Sequence, residues 1–308
     1  MAVLSLIFLE VIAPLLVLLA VGVILQRKFS LQLGTLSKLL TYCFLPVNGF
    51  INMYQSSMPL SVFGQIILFL LLFTAFSISF TEITSRLFKL DRGVAATYKN
   101  SVVLMNSGNY GIPVSQLVFQ SNPLGVSIQL IVMVYQNLLT FTYGLYNMVS
   151  VKSQGNAILK ELLRLPMIYA IILGVLCASL HVDIPTFLWN PITSIADAFL
   201  AVALITLGAQ VAQIQLKRPH VVLYLSTIAR LLIGPAAALG IIFLLGLDGT
   251  VAQSLLIASS FPTSRNSSIF ALEYNNNPDL AAQTVLVTTI LSSITVTIVV
   301  YMAGILFG

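Results

Sequence analysis

Ten stretches of this chain are apolar over about the 20 residues that a helix needs to cross some 30 Å of hydrocarbon. They follow one another closely, near 3–25, 32–54, 61–85, 95–119, 123–148, 166–181, 188–214, 219–246, 250–273 and 279–306. A backbone inside lipid must satisfy its own hydrogen bonds, so only helices and closed barrels cross a membrane. Continuous runs of this length, without alternation, select the helix. Charged residues make up 7% of the 308 and the mean hydropathy is +1.01, whereas a soluble chain carries about 25% charge. The expected fold class is all-α integral membrane, with too little chain between the runs for a soluble domain. The first run is too long for a signal peptide and its basic pair, Arg27 and Lys28, follows it, so it reads as a retained span.

The formal net charge is +5, and its distribution decides what it means. With the N-terminus placed outside, eleven of the fourteen basic residues fall in cytoplasmic segments, from Arg27 and Lys28 through Arg86, Lys89, Arg92 and Lys99 to Lys217 and Arg218. The outer loops hold none; Lys38, Arg230 and Arg265 lie within spans. The basic excess therefore sets orientation and excludes nucleic acid as a partner. The lipid bilayer is the expected surrounding, in a multi-pass protein of the cell (plasma) membrane with both termini extracytoplasmic. Five spans lie on each side of a cytoplasmic linker at 149–165. The half 166–308 thus enters the membrane in the opposite sense to 1–148, as two inverted five-helix repeats, a plan on which many secondary transporters are built.

One run is interrupted in its middle: "MNSGNYGIPV", residues 105–114, places Asn106, Ser107, Gly108, Asn109, Gly111 and Pro113 inside span four. An inverted repeat predicts a counterpart in span nine, and "SSFPTSRNSS" supplies it with Pro262, Thr263, Ser264, Arg265 and Asn266. Proline removes a backbone donor and displaces a carbonyl one turn earlier, and glycine lowers the cost of unwinding. Freed peptide groups cost several kcal/mol each in lipid, so such a break survives only within protein or beside a wet cavity. Helices four and nine are expected to be broken and to cross. Peptide N–H groups near Gly111–Val114 and Thr263–Arg265 would face a ligand there, with helix N-termini behind them.

Arg265 points to the ligand's charge. A mid-span arginine costs at least about 2.5–3.5 kcal/mol and so takes an anion, a cavity or an interface, and its planar fork suits a carboxylate. Three roles are open to it: binding a small organic anion, pairing with Asp197 of span seven, or reaching the cytoplasmic face. Glu10 and Asp197 lie roughly 10–13 Å from the outer surface by helical rise; each either carries a coupling ion or serves as a fixed partner. Arg230, near the middle of span eight, is expected in a structural ion pair, and Glu82 and Lys38 sit toward cytoplasmic span ends.

Cys43 and Cys177 form neither a disulfide framework nor a metal-ligand spacing, and no cofactor is implied beyond a coupling H⁺ or Na⁺. His181 and His220 fall at span ends, so no intramembrane catalytic group is assembled. The chain is not expected to be an enzyme. A channel or receptor would use the same polar crossover.

The chain resembles the auxin efflux carrier family in its short bacterial form, within the superfamily that includes bile-acid carriers. The resemblance rests on "APLLVLLAVGVILQRK", "LSKLLTYCFLPVNGF", "NSGNYGIPV", "AVALITLGAQV", "ARLLIGPAAAL" and "FPTSRNSSIFALEY", in that order over nearly the whole length. It implies ten helices, a scaffold and a transport domain, and alternating access by an elevator-like or rocking motion. Members similar to this chain move organic anions such as malate and malonate, and plant relatives export an indole carboxylate. The family's crossover positions carry over to Asn109 with Pro113 and to Pro262 with Asn266. The short junction loop points to a bacterial permease, and homodimers are implied. A Na⁺-coupled symporter of the bile-acid type is the rival expectation. Arg265 is not part of the family pattern, and its role rests on charge and depth alone.

Overall fold

A computed structural model of the protein describes residues 9, 13–55, 60–120, 122–148, 166–213 and 220–308. Glu10 and the linker 149–165 lie outside these residues. All the regular structure described is helical: α1 Ala13–Phe29, α2 (33–55), α3 Leu60–Leu87, α4 Arg92–Val103, α5 (107–118), α6 (123–148), α7 Pro166–Ser179, α8 Thr186–Val211, α9 (221–245), α10 Gly249–Ser259, α11 Arg265–Glu273 and α12 Pro278–Phe307. Among the described residues, five stretches are long and apolar enough to cross a membrane, Ser61–Leu87, Pro123–Met148, Thr186–Val211, Val221–Leu245 and Pro278–Phe307. The helix starts are written locally. Asp91 accepts from the N–H groups of Gly93 and Val94 at 3.0 Å each, Asn122 from Leu124 and Asp248 from Gly249. These side chains occupy donors that a first turn leaves without intrahelical partners. Gly246, at φ +62°, closes α9 in the left-handed conformation that glycine adopts without strain.

Among the fully described helices, four carry a π-helical turn, Leu40–Phe44 in α2, Ser107–Gly111 in α5, Thr140–Gly144 in α6 and Ala229–Ile233 in α9. Each inserts one residue per turn and re-aims the following face, a device common at functional sites.

The helices sort into two groups by packing. In one, α1 lies along α8, α7 lies along α2, and α2 also touches α8. In the other, α3 packs on α4 and α9, while α10 packs on α6, α9 and α12. The groups meet where α2 faces α6 and α8 faces α5. Hydrogen bonds that cross this seam include Arg265 Nη1 to Ser37 Oγ at 3.3 Å and Ser127 Oγ to the Asn52 carbonyl at 3.1 Å.

Candidate functional site

Spans four and nine are both interrupted, and the interruptions meet. After Val103 the chain leaves the helix, with Leu104 extended at φ −92°, ψ 116°. It resumes helical turns at Ser107. Span nine stops at Ser259 and restarts at Arg265. Between the breaks, Met105 and Thr263 form an antiparallel bridge. The Asn106 N–H donates to the Pro262 carbonyl and the Ser264 N–H to the Leu104 carbonyl, both at 2.8 Å. Three further peptide groups are taken by side chains of neighbouring helices. The Met105 N–H donates to Gln136 Oε1 and the Thr263 N–H to Thr288 Oγ1, at 3.2 Å each. The Ser107 carbonyl accepts from Gln129 Nε2 at 2.9 Å. Much of the backbone freed by the breaks is thus satisfied within the protein, as a nonpolar surrounding requires.

Close approach at the crossing depends on Gly111. A Cβ there would lie 2.5 Å from Gln129 Nε2 and 2.6 Å from the Phe261 ring. That ring stands edge-on to Tyr110, with centroids 5.8 Å apart.

A cavity of about 290 Å³ opens beside the bridge. Of the residues expected at a ligand site, Asn106, Ser107, Asn109, Ser264, Arg265 and Asn266 all line it. Asn106 is buried and its amide nitrogen has no acceptor among the described residues. Arg265 is half-buried, donates to Ser37 Oγ and has no carboxylate within ion-pair distance among the described side chains. The N–H groups of Gly108 and Asn109 also have no intramolecular acceptor among the described residues.

Several expectations are corrected. Thr263 and Pro262 do not line the cavity. Thr263 is fully buried, with Oγ1 donating to the Ser101 carbonyl at 2.6 Å, and Pro262 contributes its carbonyl to the bridge. Pro113 lies within α5, past the break and directly after the π-helical turn Ser107–Gly111; it is not the counterpart of Pro262. The N–H groups of Gly111 and Ile112 turn back to Asn106, Gly108 and Ser107 rather than toward a ligand. Arg265 and Asp197 do not meet. Asp197 borders a second cavity of about 340 Å³ with Asn48, Asn52, Gln116 and Gln120, and the two cavities share no lining residue. Arg230 has no ion-pair partner among the described side chains; it donates to backbone carbonyls of α4 and α10. Glu82 is tied to Arg86 at 2.7 Å and Lys99 at 2.5 Å. Glu10 lies outside the described residues.

The cavity also has walls that sequence reasoning missed. Gln136, Asn137 and Thr140 of α6 face it, together with Ser37 and Thr41 of α2. A signal was present, because Met133, Gln136, Asn137 and Thr140 recur at the three-to-four-residue spacing of one helix face in an otherwise apolar run.

Comparison with known proteins bears on this arrangement. Over 212 residues the chain is 27% identical to an "uncharacterized transporter" of Methanothermobacter thermautotrophicus, covering 66% of each chain. Over 152 residues it is 25% identical to a protein of Oryza sativa subsp. japonica described as "probable auxin efflux carrier component 1c", covering 46% of this chain and 25% of the rice protein. The match thus spans about two thirds of the archaeal relative and a quarter of the plant one. The sequence model of the family described as "membrane transport protein" matches residues 7–300. Nearly the whole chain lies inside that match, the broken helices included, and the chain belongs to this family of membrane transport proteins, which are transporters and not enzymes.

Proposed function

We propose that the protein is a secondary active transporter of a small organic anion, a mono- or dicarboxylate of the size of malonate or malate, bound where the two broken helices cross. The observation that carries this reading is Arg265, a guanidinium without a carboxylate partner among the described side chains, in the wall of a polar cavity of about 290 Å³. That volume stands at the lower edge of the roughly 300–1,000 Å³ of small-molecule sites, which favours a ligand of few heavy atoms. Asn106 Nδ2 and the Gly108 and Asn109 N–H groups add donors on the same side. Donors without competing carboxylates select a negative solute.

Alternating access is supported by the second cavity. The first is walled by the early part of α2 and the late part of α6, the second by the late part of α2 and the early part of α6. They therefore lie toward opposite ends of the same seam. Ten spans in two inverted repeats are supported by exchanged packing: α1 on α8 matches α7 on α2. Gly22 and Gly174 extend the match, since a Cβ at either would run into the backbone of the helix opposite, at 2.0 Å from the Ile205 carbonyl oxygen and 2.6 Å from that of Phe50. In the orientation set by the basic residues, with both termini extracytoplasmic in a plasma membrane, the Arg265 cavity faces the cytoplasm.

The test is thermal unfolding of the purified protein against a panel of small mono- and dicarboxylates, followed by uptake of the stabilising acid into liposomes. A bound acid raises the midpoint by mass action. If no carboxylate shifts the midpoint and none is taken up, the anion reading fails.

A further inference from the structure

Arg230 lies in the π-helical turn of α9 and is 1% exposed. Its Nη1 donates to the Val102 carbonyl at 2.8 Å and its Nη2 to the Ser259 carbonyl. The guanidinium also lies over Phe73, with Cζ 5.8 Å from the ring centroid. Val102 and Ser259 belong to the last turns of α4 and α10, the two half-helices that run into the crossing. The terminal carbonyls of a helix carry roughly half a negative elementary charge. Two such ends converging in a nonpolar medium amount to about one negative charge, which one guanidinium balances.

In transporters with discontinuous helices, half-helix C-termini and unwound carbonyls are where Na⁺ or H⁺ is held. Here one such carbonyl from each half-helix is bonded to a cation attached to the chain. We propose that Arg230 is a tethered counter-ion that stands in for a coupling metal ion at the crossing, so that no Na⁺ is taken up between the two half-helix ends. It is a positioning residue: it keeps two negative ends together and thereby holds the bridge beside the Arg265 cavity. The inference deepens the transport reading and rests on its crossing, but not on the identity of the anion.

The experiment measures thermal unfolding of the full chain, purified in detergent, in chloride salts of Na⁺, K⁺ and N-methylglucamine at one ionic strength. Wild type and the variants Arg230→Ala and Arg230→Lys are compared, each with and without methylguanidinium. Wild type is expected to have one midpoint in all three salts. Arg230→Ala is expected to unfold at lower temperature and to recover about 2–4 °C with Na⁺ or methylguanidinium once either exceeds its dissociation constant about fivefold. Arg230→Lys, which keeps a cation, is expected to respond to neither. A Na⁺-dependent rise of the wild-type midpoint overturns the proposal without any variant. Failure of every small cation to restore Arg230→Ala also overturns it, and Arg230→Gln takes that place if Arg230→Ala does not accumulate. Repeating the series on Arg265→Gln separates the two readings, because that change removes the anion site and leaves the half-helix ends intact.

Discussion

Met105 and Thr263 face each other as an antiparallel bridge in the middle of a helical protein, the one such pairing of extended backbone among the described residues. Each sends its peptide N–H to a side chain of the span that follows its own broken one, Gln136 of α6 for Met105 and Thr288 of α12 for Thr263. The two interruptions therefore form one hydrogen-bonded unit rather than two separate kinks. Polar groups that the unit leaves over, on Asn106, Gly108, Asn109 and Arg265, border the cavity.

Replacing Arg265 by glutamine is expected to weaken binding of the stabilising carboxylate about 10–100-fold, the worth of hydrogen bonds to a charged group. Titration calorimetry with the acid found in the thermal screen checks this. Arg265→Lys, a point charge without the planar fork, should fall between wild type and glutamine.

Asn106→Ala removes one neutral donor from the cavity wall and should weaken the same carboxylate about 2–10-fold. Asn106→Asp places a carboxylate against the ligand and should abolish binding. An Asn106→Asp protein that binds as tightly as wild type would remove Asn106 from the site.

Gly111→Ala forces a Cβ to within 2.6 Å of the Phe261 ring and should cost about 1–3 kcal/mol, as overpacking of a filled core does. Gly108 is the control, because a Cβ there meets only the flexible Met133 side chain, its sulfur at 3.4 Å and its Cγ at 3.7 Å. Its alanine variant should keep a midpoint near that of wild type, and thermal unfolding of the two variants side by side reads the difference.

The two cavities predict sidedness. In a background with Cys43 and Cys177 changed to serine, Ser37→Cys should react with a membrane-impermeant maleimide only from the cytoplasmic side of oriented vesicles. Gln120→Cys should react only from the opposite side. Labelling of both from one side would contradict the placement of the cavities at opposite ends of the seam.

The positions of the breaks were legible because proline, glycine and asparagine inside an apolar run have no other cheap explanation in lipid. Six of the nine expected ligand-site residues line one cavity for that reason. What the sequence hid is register between distant segments. Pro113 and Pro262 looked like partners, yet the bridge pairs Met105 with Thr263, and methionine carries no signal of a break. The wall from α2 was hidden similarly, since Ser37 in a span reads as an ordinary helix residue until the neighbour it faces is known. Arg230 was misread because a buried charge suggests an opposite charge, whereas the ends of two helices served instead.

The hydrogen bonds between the two helix groups bear on the alternating access proposed above. Displacing one group past the other would break Arg265 to Ser37 at one end and Ser127 to Asn52 at the other, each worth about 0.5–1.5 kcal/mol or more where a charge takes part. The interface would then act as a bearing with a catch at either rim, each beside the mouth that it would help to shut. An anion that draws the Arg265 side chain away from Ser37 would release the inner catch by the act of docking.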